Sequence, residues 1–258
     1  MADEVRVAVL IDCDNVSWKL SKEILAETAK HGTLGIKRAY GDWSSSYLSG
    51  WNRVLSELAI QPIQQPGYTV GKNSSDSALI IDAMDLLYSN NVDVFCIVSS
   101  DSDFTRLAMR LRESGRKVYG LGAQTAPVAF RSACDRFTYL EVLTGEPLET
   151  IAVRPGADEG TDELRVVARD EALLASVPDI QTILTPAVEA TAKEDGWAPL
   201  SIVGWYLVNN HPTFDSRNYG FAKIGKLVRH LPFIETKDVS SPNGVLQPWI
   251  KLRDDPDA

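Results

Sequence analysis

The sequence predicts an α/β protein in which helices flank a parallel sheet, followed by a small, mostly helical winged-helix module. Strand-like and helix-like segments alternate over the first 143 residues, which is the pattern of a parallel sheet with helical crossovers. Three of the strand-like runs are almost continuously apolar. After residue 163 the chain becomes mostly helical and ends in two short strand-like pieces.

The strands of the sheet are predicted from short runs rich in β-branched and apolar residues. The first, fourth and fifth runs contain few polar residues, which is typical of strands that are buried on both faces. The six predicted strands cover residues 5–11, 36–40, 60–64, 93–98, 117–121 and 137–142.

Helical segments lie between these strands, at residues 17–30, 45–58, 76–89, 103–114 and 126–133. In the third of them, the apolar side chains fall on one face of a helix. These side chains are Leu79, Ile80, Ala83, Met84 and Leu87. Because β and α segments alternate, we expect right-handed crossovers between parallel strands.

The remainder of the chain divides into three further parts. Residues 144–163 are rich in acidic residues, Pro, Gly and Thr, and predict a flexible linker between a first domain, 1–143, and a second, 164–253. The last five residues, 254–258, form an acidic tail. The second domain is predicted to contain helices at 166–177, 183–195, 201–210 and 220–231, then strands at 233–238 and 246–252 around the turn SSPNG.

The net charge of −9 does not exclude nucleic acid as a partner, because it is unevenly distributed. The first domain carries −2 and the second +1, whereas the linker carries −5 and the tail −3. Both folded parts can therefore present local basic patches. No apolar run is long enough to cross a membrane, and the N-terminus lacks the pattern of a signal peptide. The three cysteines are scattered and form no C-x-x-C pair, which is typical of a reduced compartment. Together these features predict a cytoplasmic protein with no membrane association.

Carboxylates follow two of the predicted buried strands. Asp12 follows the first strand, Asp101 and Asp103 follow the fourth, and Asp76 begins the third helix. Ligands of open parallel sheets bind beyond the carboxyl ends of the strands, so we expect these four acids to converge. Converging carboxylates repel one another unless a proton or a cation intervenes, and their oxygens suit Mg²⁺ or Mn²⁺. Such a site can activate water and stabilise an in-line phosphoryl displacement.

Simpler roles are open for each of these residues. Asp and Ser after a strand are good helix caps, so the acids can serve as caps or turn residues. Asp82 lies among apolar neighbours in a helix and can support the site or face solvent. Lys72 can contact a phosphate or be an exposed loop lysine. Asp14 is expected to shape the turn after the first strand.

Four motifs in order resemble one known family. They are VAVLIDCDNVS, GKNSSDSALIIDAMDLLY, VFCIVSSDSDFTRLAMRLRESGRKVYGLG and ACDRFTYLE, which together span about residues 4–143. This set resembles the NYN domain family (the LabA/DUF88 group), which is similar to PIN-domain nucleases. The resemblance implies a PIN-like fold and metal-dependent ribonuclease activity with Mg²⁺ or Mn²⁺. The metal-site and catalytic acids would be Asp12, Asp76, Asp101 and Asp103, supported by Asn15 and Ser100. Cys13 stands where the family often has Gly.

The second domain more loosely resembles the OST-HTH/LOTUS domain, through LSIVGWYLVNNHPTFDSRNYGFAKIGKLVRHLPFIE. That resemblance implies a winged helix that binds RNA or a protein partner. Lys223, Lys226 and Arg229 recur every three residues, and with Arg217 they can form a basic patch for nucleic acid or simply a solvated helix face. Trp205 and Phe221 are predicted to lie in the core.

The leading hypothesis is a metal-dependent endoribonuclease with a C-terminal RNA-binding module. One alternative is a non-catalytic RNA-binding or regulatory adaptor. Another is a phosphatase of the haloacid-dehalogenase type, since Asp12 and Asp14 in DCDNV have the spacing of its nucleophile and acid. That alternative gives Asp76 no role. The sequence leaves open the RNA target, a choice between RNA and DNA, the number of metal ions and the oligomeric state.

Overall fold

A computed structural model describes residues 4–64, 74–144, 177–240, 244 and 246–253. The chain divides into two compact units, Met1–Ala152 and Val153–Ala258. The predicted linker 144–163, apart from Thr144, and the acidic tail 254–258 lie outside the described residues. So does the predicted helix 166–177, apart from Val177.

The first unit is built on a six-stranded, wholly parallel sheet in the order β3-β2-β1-β4-β5-β6. Its strands are β1 (Arg6–Asp12), β2 (Thr33–Gly41), β3 (Gln61–Gln64), β4 (Val94–Val98), β5 (Lys117–Gly122) and β6 (Arg136–Tyr139). The order reverses between β1 and β4, which are neighbours in space but separated by two strands in the sequence. The carboxyl ends of these two strands therefore form the switch point at which parallel sheets bind ligands.

Helices connect the strands and cover the sheet. They are α1 (Ser21–Thr28), α2 (Ser49–Glu57), α3 (Ser74–Ser89), α4 (Thr105–Glu113), α5 (Val128–Ala133) and α6 (Glu141–Thr144). Short 3-10 turns precede α1, α2 and α4, at Trp18–Leu20, Ser46–Leu48 and Ser102–Phe104, and Ala29–His31 follows α1. The predicted strand 137–142 is wrong at its end, because α6 begins at Glu141.

The alternation of side chains along β1 explains why its whole apolar run is buried. Val9 and Ile11 belong to a core cluster with Ile24 of α1 and Trp51 of α2. Leu10 points to the opposite face of the sheet and is also buried, as a strand covered on both faces requires. The predicted fold class, a PIN-like parallel sheet flanked by helices, is confirmed.

The second unit combines helices with a small antiparallel sheet, as predicted. Its helices are α7 (Ile180–Thr191), α8 (Leu200–Asn210) and α9 (Ile224–Arg229), with a 3-10 turn at Ser216–Tyr219. The sheet has the order β7-β9-β8, from β7 (Ala198–Pro199), β8 (Ile234–Ser240) and β9 (Leu246–Leu252). A separate core cluster, which includes Leu184, Val203, Leu227 and Ile250, lies between these elements.

The predicted helix 220–231 is wrong at its start. Gly220 has a φ of 80° and ends the 3-10 turn, and Lys223 is extended with a φ of −146°. The helix begins only at Ile224. A left-handed residue followed by an extended one cannot continue a right-handed helix, so Lys223 lies outside it. None of the helices that the structure describes is both long and apolar enough to cross a bilayer.

Candidate metal centre

Asp12 occupies the last position of β1 and is only 1% exposed. Ser99 Oγ and Asn15 Nδ2 both donate to Asp12 Oδ2 at 2.7 Å, and the Asp14 backbone N–H donates to Asp12 Oδ1 at 3.2 Å. Burial nevertheless raises the pKa of Asp12, because these donors do not fully replace water. The carboxylate is held in one orientation at the switch point.

The loop after β4 presents the next two acids. Asp101 caps the 3-10 turn Ser102–Phe104 by accepting from the Asp103 backbone N–H at 2.9 Å. The Asp101 backbone N–H in turn donates to Ser99 Oγ at 3.1 Å. Ser99 therefore connects Asp12 to the loop that carries Asp101. The cap uses Oδ1 of Asp101, and a carboxylate has two oxygens, so capping is compatible with a place near the other acids.

Asp76 is in the first turn of α3 and is 7% exposed. Its neighbour Ser75 donates from Oγ to Asp14 Oδ2 at 2.6 Å. This hydrogen bond joins the start of α3 to the loop after β1, although 61 residues separate the two side chains. Asp14 thus does more than shape its own turn, because it ties the helix that carries Asp76 to the end of the sheet.

The structure brings three of the four predicted acids into one cluster. Carboxylate oxygens of Asp76, Asp101 and Asp103 all lie within 4.8 Å of one another. Burial, followed by the charges of Asp12, Asp101 and Asp103, raises the pKa of Asp76 to about 7. The charges of the other three acids therefore act on Asp76, and without a cation Asp76 retains a proton up to near neutral pH.

The cluster fits a hard divalent cation. All its donor atoms are carboxylate oxygens, the ligands preferred by Mg²⁺ and Mn²⁺. Two oxygens on opposite sides of one Mg²⁺ are about 4.2 Å apart, since each bond is about 2.1 Å. A spread of up to 4.8 Å is thus close to that of a single ion and needs only small side-chain rotations. Asp103 is exposed, so the cluster is open to solvent on one side.

The supporting residues predicted from the sequence have separate places. Asn15 holds Asp12, whereas Ser100 Oγ accepts from the Ala123 backbone N–H at 2.8 Å and fixes the loop to the end of β5. Asp82 lies outside the three-acid cluster. Its carboxylate instead accepts a hydrogen bond from the Tyr40 hydroxyl at 2.6 Å and lies 2.8 Å from the guanidinium of Arg38. Lys72 is outside the described residues.

Sequence reasoning missed Ser99 as a central group. It is fully buried and contacts both Asp12 and the backbone of Asp101. A signal was present, because Ser99 is the first residue after a buried strand and precedes the two acids. Gly122 is the second omission: a Cβ there would lie 2.3 Å from the Ser99 carbonyl oxygen. Only glycine therefore permits β5 to approach this loop so closely.

The predicted basic patch of the second unit is not assembled as expected. Arg217 pairs with Asp215 at 2.6 Å, and Arg229 pairs with Asp238 of β8 at 3.0 Å. Lys226 is exposed on α9, but Lys223 precedes that helix. The four cations therefore do not share one helix face, and their contact with nucleic acid stays a prediction.

Of the two aromatic side chains predicted to lie in the core, Phe221 packs against the core cluster and Trp205 does not. Trp205 is 69% exposed, with Ile202 and Val208 exposed beside it on α8, so its assignment to the core is wrong. Phe221 is half-buried against the His230 ring at 4.8 Å. Two lysines lie over tryptophan rings near the small sheet: Lys193 over Trp249 at 4.5 Å and Lys237 over Trp197 at 3.9 Å.

Comparisons with known proteins agree with this two-part organisation. The NYN domain model matches residues 6–141, and the OST-HTH/LOTUS domain model matches residues 171–246. An uncharacterized protein of Methanocaldococcus jannaschii is 28% identical over 130 residues, which are 47% of this chain and 49% of that protein. The chain thus spans about half the length of the curated relative that it matches.

Two solved structures are each similar to part of the chain. A protein of unknown function from Vibrio parahaemolyticus has a TM-score of 0.46 at 17% identity, covering 54% of this chain and 94% of its own. Residues 175–257 of a Chromobacterium violaceum protein, solved by NMR, are 38% identical with a TM-score of 0.27, covering 31% of this chain and 85% of that one. The family match covers more than half of the sequence and includes every acid of the cluster, so the chain belongs to the NYN domain family.

Proposed function

We propose that the protein is a metal-dependent endoribonuclease whose second unit binds RNA. The observation that carries the proposal is the convergence of Asp76, Asp101 and Asp103 at the switch point of an NYN domain. The NYN family belongs to a superfamily of PIN-like nucleases, and the OST-HTH/LOTUS match supports RNA as the partner. Asp12 is proposed as the fourth acid of the centre.

The side chains have distinct tasks in this proposal. Asp76, Asp101 and Asp103 would hold Mg²⁺ or Mn²⁺, which supplies Lewis-acid stabilisation of phosphate charge and a lowered pKa for water. Asp12 is oriented by Ser99 and Asn15, and its ionised form would strengthen the attraction of the cluster for a cation. Asp103, the exposed acid, lies at the side from which a phosphodiester can approach.

The second unit would recruit RNA. Lys226 is exposed on α9, and Lys193 and Lys237 are held over tryptophan rings, so lysine ammonium groups are available for phosphates. Lys223, Arg217 and Arg229 remain candidates, although both arginines would have to leave a carboxylate partner. As an alternative, this unit would bind a protein partner through the exposed apolar side chains of Ile202, Trp205 and Val208.

The phosphatase alternative is not supported by the geometry. It requires Asp14 as a free general acid, whereas Asp14 accepts a 2.6 Å hydrogen bond from Ser75. It also leaves Asp76 without a task, although Asp76 belongs to the acidic cluster.

The test that separates an enzyme from an adaptor combines calorimetry with a cleavage assay. Purified protein is titrated with Mn²⁺ and then incubated with mixed RNAs, and the Asp103→Asn variant is the comparison. The proposal expects metal binding and RNA cleavage in the wild type, with both weakened at least tenfold in the variant. Metal binding without cleavage of any RNA would favour the adaptor instead.

A further inference from the structure

A groove between α3 and α4 begins at the metal centre and has no role in the mechanism above. It encloses a cavity of about 360 Å³ and includes Asp103 in its wall. Ile80 and Met84 line it from α3, and Arg106, Met109 and Arg110 line it from α4. Because Asp103 belongs to both the groove and the carboxylate cluster, a ligand in the groove would lie directly beside the metal site.

The floor of the groove is apolar. Ile80 and Met84 are one helical turn apart on α3 and partly exposed, and Leu107 of α4 is buried below them. Met109 adds a side chain that is 45% exposed. Methionine is flexible and polarisable, so two methionines around an open slot suit a flat aromatic ring. The floor therefore has the chemistry of a site for a nucleobase.

Two arginines border this floor. Arg106 and Arg110 are exposed and lie one turn apart on α4, about 6 Å along its axis. Neither forms an ion pair with a carboxylate in the described part of the chain. Elsewhere on this unit, arginines at positions 6, 38, 53, 112 and 116 each have a carboxylate partner. The two guanidinium groups beside the groove are thus available for the paired hydrogen bonds that arginine makes to phosphate.

We propose that the α3–α4 groove is a nucleotide subsite for single-stranded RNA. It would hold the base adjacent to the scissile phosphate on Ile80 and Met84, while Arg106 and Arg110 bind the flanking phosphates. A base can lie on this apolar floor only when it has left a duplex stack, so the subsite selects single strands over duplexes. This inference rests on the proposed nuclease function, since it assigns the substrate class of the same site.

Kinetics give the first arm of the test. Arg106→Ala and Arg110→Ala in the full chain are expected to raise KM for a single-stranded RNA about tenfold each, with kcat changed less than twofold. Arg106→Lys should recover only part of the loss, because lysine lacks the planar pair of donors. Arg53→Ala is the matched control, since Arg53 is an exposed arginine on α2, outside the groove. Annealing the complementary strand should slow cleavage at least tenfold.

Photocrosslinking gives a second arm that does not need activity. The full-length Asp101→Asn variant is bound to an RNA containing 5-iodouridine, irradiated, digested and analysed by mass spectrometry. The subsite predicts crosslinks in peptides that carry Met84 or Met109. Crosslinks confined to residues 177–253 would overturn it.

The two arms separate failure of the subsite from failure of the nuclease. If the wild type cuts RNA and both alanine variants retain its KM, the subsite is wrong and the nuclease stands. If no RNA is cut by the wild type, the nuclease is wrong, and crosslinks at Met84 or Met109 decide whether the groove still binds RNA.

Discussion

Replacing Asp76 with Asn should stabilise the metal-free protein while removing its activity. Burial and four neighbouring carboxylates raise the pKa of Asp76 from 3.8 to about 7. At pH 8 Asp76 is ionised in both states, but only the folded state disfavours the charge, so the anion destabilises the fold. Asparagine keeps the size of the side chain and removes the charge.

The size of the effect follows from that pKa. A rise from 3.8 to about 7 corresponds to about 4 kcal/mol when no charge is screened. Water reaches the cluster at the exposed Asp103, so we reduce the penalty to about 1–2 kcal/mol. The charge of Asp76 also interacts favourably with the dipole at the start of α3. Losing this interaction in the variant offsets the gain in stability by about 0.5 kcal/mol. The net gain of about 1 kcal/mol raises Tm by about 3 °C for a unit of this size.

The raised pKa of Asp76 also predicts how the stability of the wild type changes with pH. Because the folded state binds the Asp76 proton more tightly than the unfolded state, wild-type stability falls as pH rises from about 4 to about 7. The difference between Asp76→Asn and the wild type should thus be full at pH 8 and small near pH 4. Calorimetric scans in chelator at both pH values measure this difference in stability from the unfolding transition of the first unit.

Metal reverses the comparison. At a concentration one hundred times its dissociation constant, Mg²⁺ or Mn²⁺ adds about 2.7 kcal/mol to the wild type and less to the variant. Asp85→Asn is the matched control, because Asp85 is exposed on the same helix and outside the cluster. A lower Tm for Asp76→Asn than for the wild type at pH 8 in chelator would refute the reasoning, as would an equal rise in the control.

Three further changes test the contacts around the site and the second unit. Ser99→Ala should cost about 1–3 kcal/mol in urea unfolding, since the buried carboxylate of Asp12 loses a donor, and an unchanged midpoint would contradict this. Gly122→Ala should lower Tm by several degrees because its Cβ meets a carbonyl at 2.3 Å, whereas Gly35→Ala, with nothing within 4 Å, should change it little. Trp205→Ala should shift the free energy of unfolding by less than about 0.5 kcal/mol, because Trp205 is exposed. Leu207→Ala, at a buried position of the same helix, should cost about 2–5 kcal/mol. A large effect at Trp205 would contradict its exposure.

The sheet and the meeting of the acids were predictable because simple rules determine them. Continuous apolar runs identify buried strands, and the carboxyl ends of parallel strands lie at one edge. The sequence did not distinguish Asp12, which is buried and held by hydrogen bonds from Ser99 and Asn15, from the three acids whose oxygens lie together. That difference depends on burial and side-chain direction, which no spacing rule supplies.

The second unit was harder to predict. The Arg229–Asp238 pair joins a helix to a strand and has no signal in the sequence, whereas Asp215 beside Arg217 could have been recognised as a local pair. Apolar residues surround much of α8, so periodicity alone could not show that Trp205 faces outward. Gly220 before Lys223 was a usable signal for a break.

We propose above that the clustered acids cut RNA with the help of a divalent metal. The most direct test is one cleavage assay on mixed RNAs, comparing the wild type with Asp101→Asn in Mg²⁺, in Mn²⁺ and in chelator. We predict cleavage by the wild type with metal, none in chelator, and a loss of at least a hundredfold in a folded Asp101→Asn variant. Cleavage by that variant at the wild-type rate, or equal cleavage in chelator, would contradict the claim.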